Sequence, residues 1–277
     1  MNVLSLFDGI SCGQLALQRA KIPYTKYLAS EIEPHAISVT QYRHPNTIQL
    51  GDVTNWAQWD LPEIDLLFAG FPCQAWSTAG KQKKLDDPRG RLALTLSNIF
   101  RFIPVKYFLF ENVCMSSADI RMLDGLFGVS SVTIDSALLS GQSRPRVYWT
   151  NIPNITIPED KGIMVQDILE PEADKWLELE NLPILRNGVL SYNYKWHIRK
   201  GRCKSFTLLA DANVRKSLIV INNKIRRLTP LEYERLQTMP DNYTDILTDN
   251  QRYSTIGNAW TIDVIAHLLR GIHDTKN

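Results

Sequence analysis

Cys73 is the residue of this sequence whose position best suits covalent chemistry. It follows an apolar run, Ile64 to Ala69, that is typical of a strand buried on both faces. Gly70 and Pro72 end that strand, because glycine permits a turn and proline removes a hydrogen-bond donor. Ligands of open α/β sheets bind beyond the carboxyl ends of the strands, so a thiol at this place would face a substrate. A lone cysteine is more often a small buried hydrophobic residue, so the prediction of a nucleophile depends on its partners.

A carboxylate and two arginines are the candidate partners of this thiol. Glu111 follows the apolar run Lys106 to Phe110. Sequential strands are often adjacent, so the Glu111 carboxyl group is expected beside Cys73, where it could act as an acid or base. Arg144 and Arg146 lead into a later strand, and alternate residues of a strand point to the same face. Two cations on one face require anionic or carbonyl partners, since burial without them would be costly.

The ends of the first three strands indicate a ligand that contains adenosine. The glycine-bearing loop Asp8–Gly13 follows the first strand and lets a backbone approach a ligand closely. Glu31 ends the second strand about 20 residues later, where an acid usually binds ribose hydroxyls, and Ile32 could pack on an adenine ring. Asp52 ends the third strand. The loop is not the G-x-G-x-x-G fingerprint, so no pyrophosphate site is predicted.

Alternating strands and helices would position these residues until the α/β rhythm stops near residue 153. The pattern predicts an α/β domain at 1–154, a smaller irregular domain at 155–222, and a segment at 223–277 that returns to the first domain. The polar stretch 75–91 has neither helical nor strand periodicity and is long for a loop, so a lid over the site is expected.

Charge is concentrated in one segment of a nearly neutral chain. The 277 residues carry a formal net charge of +2. The segment from Asn181 to Arg227 has eleven lysines and arginines and one acidic residue, a net charge of +10. Tyrosine, tryptophan and histidine interleave with these cations, which suits phosphate contacts and base stacking. A nucleic-acid partner is favoured over a solvated face, because such faces usually mix charges of both signs.

The sequence disfavours membrane, secreted and metal-binding classes. No apolar run is long enough to span a bilayer, and the amino terminus lacks the basic start of a signal peptide. The four cysteines are scattered, without the paired spacing of a zinc site or a disulfide framework. We therefore expect free thiols, a reducing cytoplasm and no metal.

Six ordered motifs resemble those of the DNA (cytosine-5) methyltransferase family. They are Phe7-Asp8-Gly9 with Gly13, Pro72-Cys73-Gln74, Glu111-Asn112-Val113, Gln142-x-Arg144-x-Arg146, Arg226-x-Leu228-Thr229 with Glu234-Arg235-Leu236-Gln237, and Gly257-Asn258. Phe7-Asp8-Gly9-Ile10, Ala29-Ser30-Glu31 and Ala259-Trp260 look most like the branch that contains the vertebrate de novo DNA methyltransferases. That branch's regulatory domains are absent from this sequence, so a minimal bacterial or phage type is expected.

The resemblance implies a Rossmann-like class I methyltransferase sheet, with a target-recognition domain inserted near the C-terminus. It also implies S-adenosylmethionine as the methyl donor and S-adenosylhomocysteine as the product. The implied donor site comprises Phe7, Asp8, Gly9, Ile10, Ser11, Cys12, Gly13, Glu31, Ile32, Asp52, Val53, Gly70, Pro72, Asn258, Ala259 and Trp260.

The resemblance further implies that Cys73 adds to C6 of a flipped-out cytosine in double-stranded DNA. Glu111 would activate the ring at N3 and Arg146 would hold O2. The positive field of both arginines would favour the thiolate, since a free thiol has a pKa of about 8.5. Gln74, Ser77 and Arg89 are expected to contact DNA, and the charge of the basic segment adds Arg199, Lys200, Arg202 and Lys204 as expected contacts. The expected setting is the cytoplasm, at the nucleoid, with a cognate restriction endonuclease as a candidate partner and the oligomeric state left open.

Three other functions stay open at this point. An RNA cytosine-5 methyltransferase would share the fold, and the compact basic domain favours DNA over RNA. A catalytically silent DNA-binding relative would lack Cys73, Glu111 or the arginines, all of which are present. A nicotinamide oxidoreductase is a distant third, because the glycine fingerprint is missing.

Overall fold

The computed structural model divides into two compact units. The described residues are 1–72, 88–171, 173, 177–178, 188–193, 195–210, 217–221 and 224–276. The first unit comprises Met1–Ile134, Pro145–Ile157 and Ile265–Asn277, and the second comprises Asp135–Arg144 and Pro158–Val264. The division at 1–154, 155–222 and 223–277 stays a prediction, and the contact units differ from it chiefly at 135–144 and 223–264.

A seven-stranded sheet forms the centre of the first unit. Its strands are β1 Asn2–Leu6, β2 Lys26–Ser30, β3 Ile48–Gln49, β4 Ile64–Gly70, β5 Val105–Val113, β6 Val132–Asp135 and β7 Pro145–Thr150. Their order is β3-β2-β1-β4-β5-β7-β6. The pairs from β3 to β5 are parallel, and β7 runs antiparallel to β5. The strand order reverses direction between β1 and β4, which is where ligands of open α/β sheets bind.

Helices connect the strands of this sheet and continue into the C-terminal part of the chain. They are α1 Cys12–Arg19, α2 Pro34–Arg43, α3 Pro88–Phe102, α4 Ser117–Phe127, α5 Pro230–Leu236, α6 Asp249–Asn258 and α7 Ile262–Leu269. Local sequence sets the bounds of α4, because the Ser116 hydroxyl accepts from Asp119 N and Gly128 ends the helix at φ 73°. Within the described ranges, no helix is long and apolar enough to cross a membrane.

An aromatic cluster anchors the end of β4. Phe71 is buried and packs edge-on against Phe127, with ring centroids 6.1 Å apart, and at a tilt against Trp149 at 6.2 Å. Phe110 completes the cluster at 5.0 Å from Phe127. Each such aromatic pair contributes about 0.5–1.5 kcal/mol beyond its buried area. The chain is therefore held in place up to Pro72.

Two predicted strands end earlier than the sequence indicated. The strand expected over 132–139 stops at Asp135, whose carboxylate accepts from Ala137 N at 2.9 Å and starts a short 3-10 helix. The third strand is limited to Ile48–Gln49, and Asp52 caps the 3-10 helix Val53–Gln58 in the same way. In both cases an aspartate side chain caps the 3-10 helix that follows the strand, a local hydrogen bond that apolar periodicity does not register.

The second unit contains a five-stranded antiparallel sheet. Its strands are β8 Leu177–Glu178, β9 Gly188–Asn193, β10 Lys195–Lys200, β11 Ser217–Ile221 and β12 Lys224–Arg227, in the order β10-β9-β11-β12-β8. The expectation of an irregular domain was therefore wrong. Cations make up much of β10 and β12, and β8 has only two residues, so these strands lack the apolar alternation that would have revealed them.

The start of α5 forms a capping box in which both reciprocal hydrogen bonds are present. Thr229 Oγ1 accepts from Glu232 N at 3.2 Å, and Glu232 Oε2 accepts from Thr229 N at 2.8 Å. The Glu232 carboxylate also receives both terminal nitrogens of Arg226, at 2.6 and 2.7 Å, and both side chains are almost fully buried. This bidentate pair is the strong form of a charge-assisted hydrogen bond.

Glu232→Gln is expected to lower the free energy of unfolding by about 3 kcal/mol, because it leaves the Arg226 guanidinium buried without its anion. The measurement is urea unfolding followed by circular dichroism. Asp241→Asn is the matched control, since the Arg235–Asp241 pair is also bidentate, through Nε and one terminal nitrogen, but is partly exposed. Its loss should cost less than about 1 kcal/mol. Equal effects of the two substitutions would contradict a special role for the buried pair.

Candidate active site

The end of β4 and the end of β5 lie side by side, as the sequence predicted. The two strands are parallel, and Gly70 pairs with Glu111. In the sequence, Cys73 follows Gly70 by three residues. Cys73, Gln74 and Ser77 themselves lie outside the described residues, and so does the side chain of Arg89.

Glu111 and Arg146 form an ion pair at this edge of the sheet. Arg146 Nε lies 2.9 Å from Glu111 Oε1, and the two side chains are only 13% and 12% exposed. The register explains the pair: Glu111 is opposite Tyr148 in the antiparallel β5–β7 ladder, and Arg146 is two residues from Tyr148 on the same face. A carboxylate and a guanidinium thus meet in a partly desolvated place, at the strand end that leads toward the predicted base site.

Asn112 is a site residue to which the sequence analysis gave no role. Its Nδ2 donates to Phe71 O at 3.0 Å, and its Oδ1 accepts from Val113 N at 2.8 Å. The side chain is buried at 1% exposure. Residues of a strand alternate in direction, so Asn112 holds the backbone ahead of Pro72 while Glu111 faces Arg146. A buried amide within an apolar strand was the signal that could have revealed it.

Arg144 and Arg146 have different partners, whereas the sequence predicted that both would point to the same face of a strand. Arg144 precedes β7, which begins at Pro145, so that rule does not apply to it. Its guanidinium donates to three carbonyl oxygens of the second unit: Leu208 at 2.9 Å, Gly257 at 3.0 Å and Ala259 at 3.2 Å. Arg144 is 5% exposed. The structure therefore gives it a positioning role, and the predicted effect of its charge on Cys73 stays a prediction.

Lysine substitutions should separate the two arginines. Arg144→Lys keeps the charge but cannot reach three carbonyl groups in a planar fork, so the free energy of unfolding is expected to fall by about 2 kcal/mol or more. Arg146→Lys keeps a cation that can still pair with Glu111, so it should change the free energy of unfolding by less than about 1 kcal/mol. It should lower the rate of the reaction that the resemblance predicts, at saturating substrates. Urea unfolding and initial rates on both variants test this. Wild-type stability of Arg144→Lys would contradict a stabilising role of the three hydrogen bonds from Arg144 to carbonyl oxygens.

Two glutamines of the motifs add hydrogen bonds to those of Arg144 within the second unit. Gln142 Oε1 accepts from Leu208 N at 2.8 Å, and Gln142 Nε2 donates to Gln237 Oε1 at 3.2 Å. Gln237 Nε2 in turn donates to Ile256 O and Ala259 O, both at 3.1 Å. The motif residues therefore fix the backbone of Gly257, Asn258 and Ala259. The part that Asn258, Ala259 and Trp260 would play in a donor site stays a prediction.

The Glu31 carboxylate is held rigidly at the carboxyl end of β2. Its Oε2 accepts from Gly9 N at 2.7 Å, and its Oε1 accepts from Ile32 N and Glu33 N at 2.8 and 2.9 Å. Carboxylate oxygens can accept further bonds, so Glu31 keeps the capacity to bind hydroxyl groups. The neighbouring Ile32 is 68% exposed, an apolar surface beside an acid. Both features fit the ribose and adenine of an adenosine ligand.

The β1–α1 loop, residues 7–11, has an unusual backbone. Phe7, Gly9 and Ser11 have φ angles of 56°, 61° and 60°. The left-handed region is unstrained only for glycine, and it costs another residue about 1–2 kcal/mol. A Cβ on Gly9 would meet no atom within 4 Å, so the loop is open there to a ligand. Strain of this kind persists at binding sites when the surroundings over-determine it.

The other predicted donor residues of the first unit are mostly inside the fold. The side chains of Ile10, Ser11, Cys12 and Val53 are buried. A Cβ on Gly13 would come within 2.4 Å of Tyr27 Oη and 2.9 Å of Phe68 Cδ2, so glycine is required there for packing. These residues would shape a donor site through their backbone and packing.

Asp8 presents a covered carboxylate in the β1–α1 loop. Its Oδ1 accepts from Tyr27 Oη at 2.8 Å, whereas its Oδ2 is buried without a hydrogen bond to any described residue. Burial raises the pKa of Asp8 to about 6, and Glu31 adds to the rise, while the hydroxyls of Ser5, Tyr27 and Ser11 oppose it. In the described part of the chain, no cluster of three or more His, Cys, Asp or Glu could hold a metal ion.

Asp8→Asn is expected to stabilise the protein increasingly as the pH rises. The fold raises the pKa of Asp8 from 3.8 to about 6, so the native state holds this proton more tightly than the unfolded chain. Wild-type stability therefore falls as the pH rises through that window, and the asparagine variant lacks this loss. Its advantage should grow by about 2 kcal/mol between pH 4.5 and 7.5, measured by urea unfolding. A constant difference would contradict the buried charge.

The predicted DNA contacts of the second unit are largely engaged within the protein. Arg199 donates to Lys204 O and Ser205 O at 3.2 and 3.0 Å and covers the Phe206 ring at 4.3 Å. Lys204 Nζ binds the carbonyl oxygens of Ala137 and Ser140.

Arg202 pairs with Asp167 at 2.7 Å but is 63% exposed. The side chain of Lys200 lies outside the described residues. Of the described cations in this group, Arg202 is the most accessible to DNA.

Comparison with known proteins identifies the family. The profile of C-5 cytosine-specific DNA methylases matches residues 1–118 and 184–274. The chain belongs to this family. Its relatives include the type II methyltransferase M.HhaI of Haemophilus parahaemolyticus, 26% identical over 100% of this chain and 95% of that protein. The orphan methyltransferase M.Rho11sI of Bacillus phage rho11s is 30% identical over 71% of this chain and 41% of that protein.

Solved structures confirm the fold. The Entamoeba histolytica methyltransferase EhMeth matches with a TM-score of 0.74 at 17% identity, over 100% of this chain and 99% of that chain. Dnmt2 of S. pombe matches with a TM-score of 0.72 at 18% identity and the same coverage. The α/β class, the mostly parallel sheet and the cytosine-5 methyltransferase resemblance predicted from the sequence are therefore confirmed.

Proposed function

We propose that this DNA cytosine-5 methyltransferase transfers a methyl group from S-adenosylmethionine to a flipped-out cytosine in duplex DNA, through a covalent adduct of Cys73. The observation that carries the proposal is the Glu111–Arg146 ion pair. It lies at the end of β5, and β5 pairs with the strand that leads to Cys73. One strand end thus offers an acid, the other a nucleophile, and a guanidinium lies beside the acid.

Each protein group then has a defined task on the cytosine ring. The Cys73 thiolate adds to C6, and the ring nitrogen N3 gains electron density that a proton shared with Glu111 stabilises. Arg146 would donate to O2 from the same face. The bound donor supplies a sulfonium methyl group for the activated C5. Loss of the C5 proton and departure of the Cys73 thiolate from C6 then restore the aromatic ring.

The ion pair itself places a condition on base binding. Arg146 Nε and Glu111 Oε1 bond each other directly, so a cytosine that used both groups would have to share or replace this contact. The pair keeps both side chains in one orientation before the base arrives, which reduces the ordering cost of binding. Asn112 supports the same edge by holding Phe71 O ahead of Pro72.

The donor would bind beyond β1 and β2. The geometry that supports this is the Glu31 carboxylate on three backbone amides, with the exposed Ile32 beside it. Glu31 would bind ribose hydroxyls, Ile32 would cover the adenine, and the β1–α1 loop would approach the methionine part. Cytosine in a duplex is stacked, so catalysis requires the base to leave the helix.

The setting of the reaction is part of the proposal. We expect the enzyme to act on double-stranded DNA at the nucleoid in the cytoplasm, with the basic segment as the target reader. A cognate restriction endonuclease is the candidate partner, since type II methyltransferases are among the relatives.

The test is a comparison of methyl acceptors. Purified protein with labelled S-adenosylmethionine is incubated with unmethylated duplex DNA or with tRNA, and incorporated label is counted. We expect label in DNA at a rate at least about tenfold above tRNA, because the deep, narrow major groove of an RNA helix cannot be read by side chains. Preferential labelling of tRNA would move the substrate to RNA and leave the chemistry at C5 intact.

A further inference from the structure

A buried amide supports the β1–α1 loop from behind. Gln14 lies in the first turn of α1 and is 2% exposed. Its Nε2 donates to Ser11 Oγ and to Thr47 Oγ1, both at 2.8 Å, and its Oε1 accepts from Tyr24 Oη at 2.7 Å. The contacts come from α1, from the chain after β1, and from residues flanking β2 and β3. One side chain therefore joins the loop after β1 to the connections that lead into β2 and β3.

Ser11 is the residue on which this support acts. It has φ 60° and ψ 42°, a conformation that costs a residue other than glycine about 1–2 kcal/mol. As the N-cap of α1 it would ordinarily accept from a helix amide through its side chain, but that cap bond is absent. The hydroxyl instead accepts from Gln14, and Ser11 N donates to Asp8 O at 3.2 Å. The Gln14 bond thus replaces the stabilisation that an ordinary cap would give.

The two tyrosines connect the support to the rest of the loop. Tyr24 binds Gln14, and Tyr27 binds Asp8 within the loop. Their rings pack edge-on with centroids 5.7 Å apart. Networks of buried polar groups stiffen a site when every member is satisfied, and here both polar atoms of the Gln14 amide have partners.

We propose that Gln14 is a positioning residue for methyl-donor binding, which it assists by holding Ser11 in the left-handed conformation that shapes the β1–α1 loop. The inference rests on the proposed function, which assigns the β1–α1 loop to donor binding. Gln14 acts through Ser11, and neither the donor nor the cytosine needs to touch it. Without Gln14, the loop relaxes toward ordinary φ angles, and the donor has to restore the strained form on binding.

The first measurement is donor affinity by isothermal titration calorimetry with the purified full-length chain and no DNA. Gln14→Leu keeps the side-chain volume and removes all three hydrogen bonds. Its dissociation constants for S-adenosylmethionine and for S-adenosylhomocysteine are expected to rise by the same factor, about tenfold. The rate at saturating donor should stay within about twofold of wild type, since the base site is separate. The effect would then be in KM and not in kcat.

Gln58→Leu is the matched control, because it makes the same change of side chain at an exposed residue, at the end of the 3-10 helix Val53–Gln58. It should leave both dissociation constants unchanged. If Gln14→Leu only destabilised the fold, its unfolding midpoint would fall. Its dissociation constants, measured well below that midpoint, would then equal those of the wild type.

Glycine at position 11 gives a sharper test. Ser11→Gly removes the cost of the left-handed conformation, so the double variant Ser11→Gly with Gln14→Leu is expected to recover most of the lost donor affinity. An unchanged donor affinity in Gln14→Leu, or no recovery in the double variant, would overturn the inference. If the wild-type protein binds neither ligand, the proposed donor site fails instead, and the two outcomes are distinct.

Discussion

Cys73→Ala is expected to abolish methyl transfer while DNA binding persists. The thiolate is the group that forms the covalent bond to C6, and the alanine variant cannot make C5 nucleophilic. Losses after removal of an enzymatic nucleophile reach several orders of magnitude, so the single-turnover rate should fall at least about a thousandfold. Labelled S-adenosylmethionine and unmethylated duplex DNA provide the assay.

DNA affinity is the control that separates chemistry from binding. The contacts with duplex DNA are dominated by phosphates, which Cys73 does not supply, so the dissociation constant should stay within about threefold of wild type at a fixed salt concentration. Cys114→Ala is the matched cysteine variant, because Cys114 is exposed and follows the end of β5. Substantial methyl transfer by Cys73→Ala would refute the covalent mechanism.

Glu111→Gln is expected to reduce the rate of methyl transfer by about 100- to 10,000-fold, the usual contribution of a positioned acid or base. The amide keeps the shape of the side chain but cannot share a proton with N3 in the same way. It also removes the anion that Arg146 contacts at 2.9 Å, so the guanidinium loses its fixed orientation. Both consequences act on the chemical step, and the effect should be seen in kcat.

Glu63→Gln serves as the control for this variant. Glu63 is exposed just ahead of β4, at the opposite end of the strand from Gly70. Its substitution should leave kcat within about twofold of wild type, as expected for a surface site. A rate for Glu111→Gln close to wild type would show that the carboxyl group does not act on the base.

The sequence was sufficient for the parts of the site that depend on strand ends. Glu31 and Glu111 could be placed because each follows an apolar run, and the carboxyl ends of parallel strands share one edge. Adjacency of β4 and β5 followed from the same rule. Such predictions need only the order of the strands and the position of a residue within each strand.

The partners of buried polar groups were less accessible from the sequence. Arg144 was expected to share a face with Arg146, but its guanidinium binds carbonyl groups of residues 64 and more positions away. The amide of Asn112 within an apolar run indicated a buried polar group, but neither Asn112 nor Gln14 revealed its partners, because these are set only once the chain is folded. Long-range hydrogen bonds of this kind carry no local periodicity.

The β1–α1 loop shows a second limit of prediction from the sequence. Three φ angles in the left-handed region at residues 7, 9 and 11 could be anticipated from sequence only for Gly9. Phe7 packs against the hydrophobic core and Ser11 accepts from the Gln14 amide, contacts that the sequence does not reveal. Strained residues other than glycine are therefore found from structure, and they lie where a ligand is proposed to bind.

The most direct test of the central claim is methyl incorporation from labelled S-adenosylmethionine into unmethylated genomic DNA, with the positions read by bisulfite sequencing. We expect labelled 5-methylcytosine within a defined short sequence context. A folded protein that binds the donor and DNA yet leaves no 5-methylcytosine would contradict it.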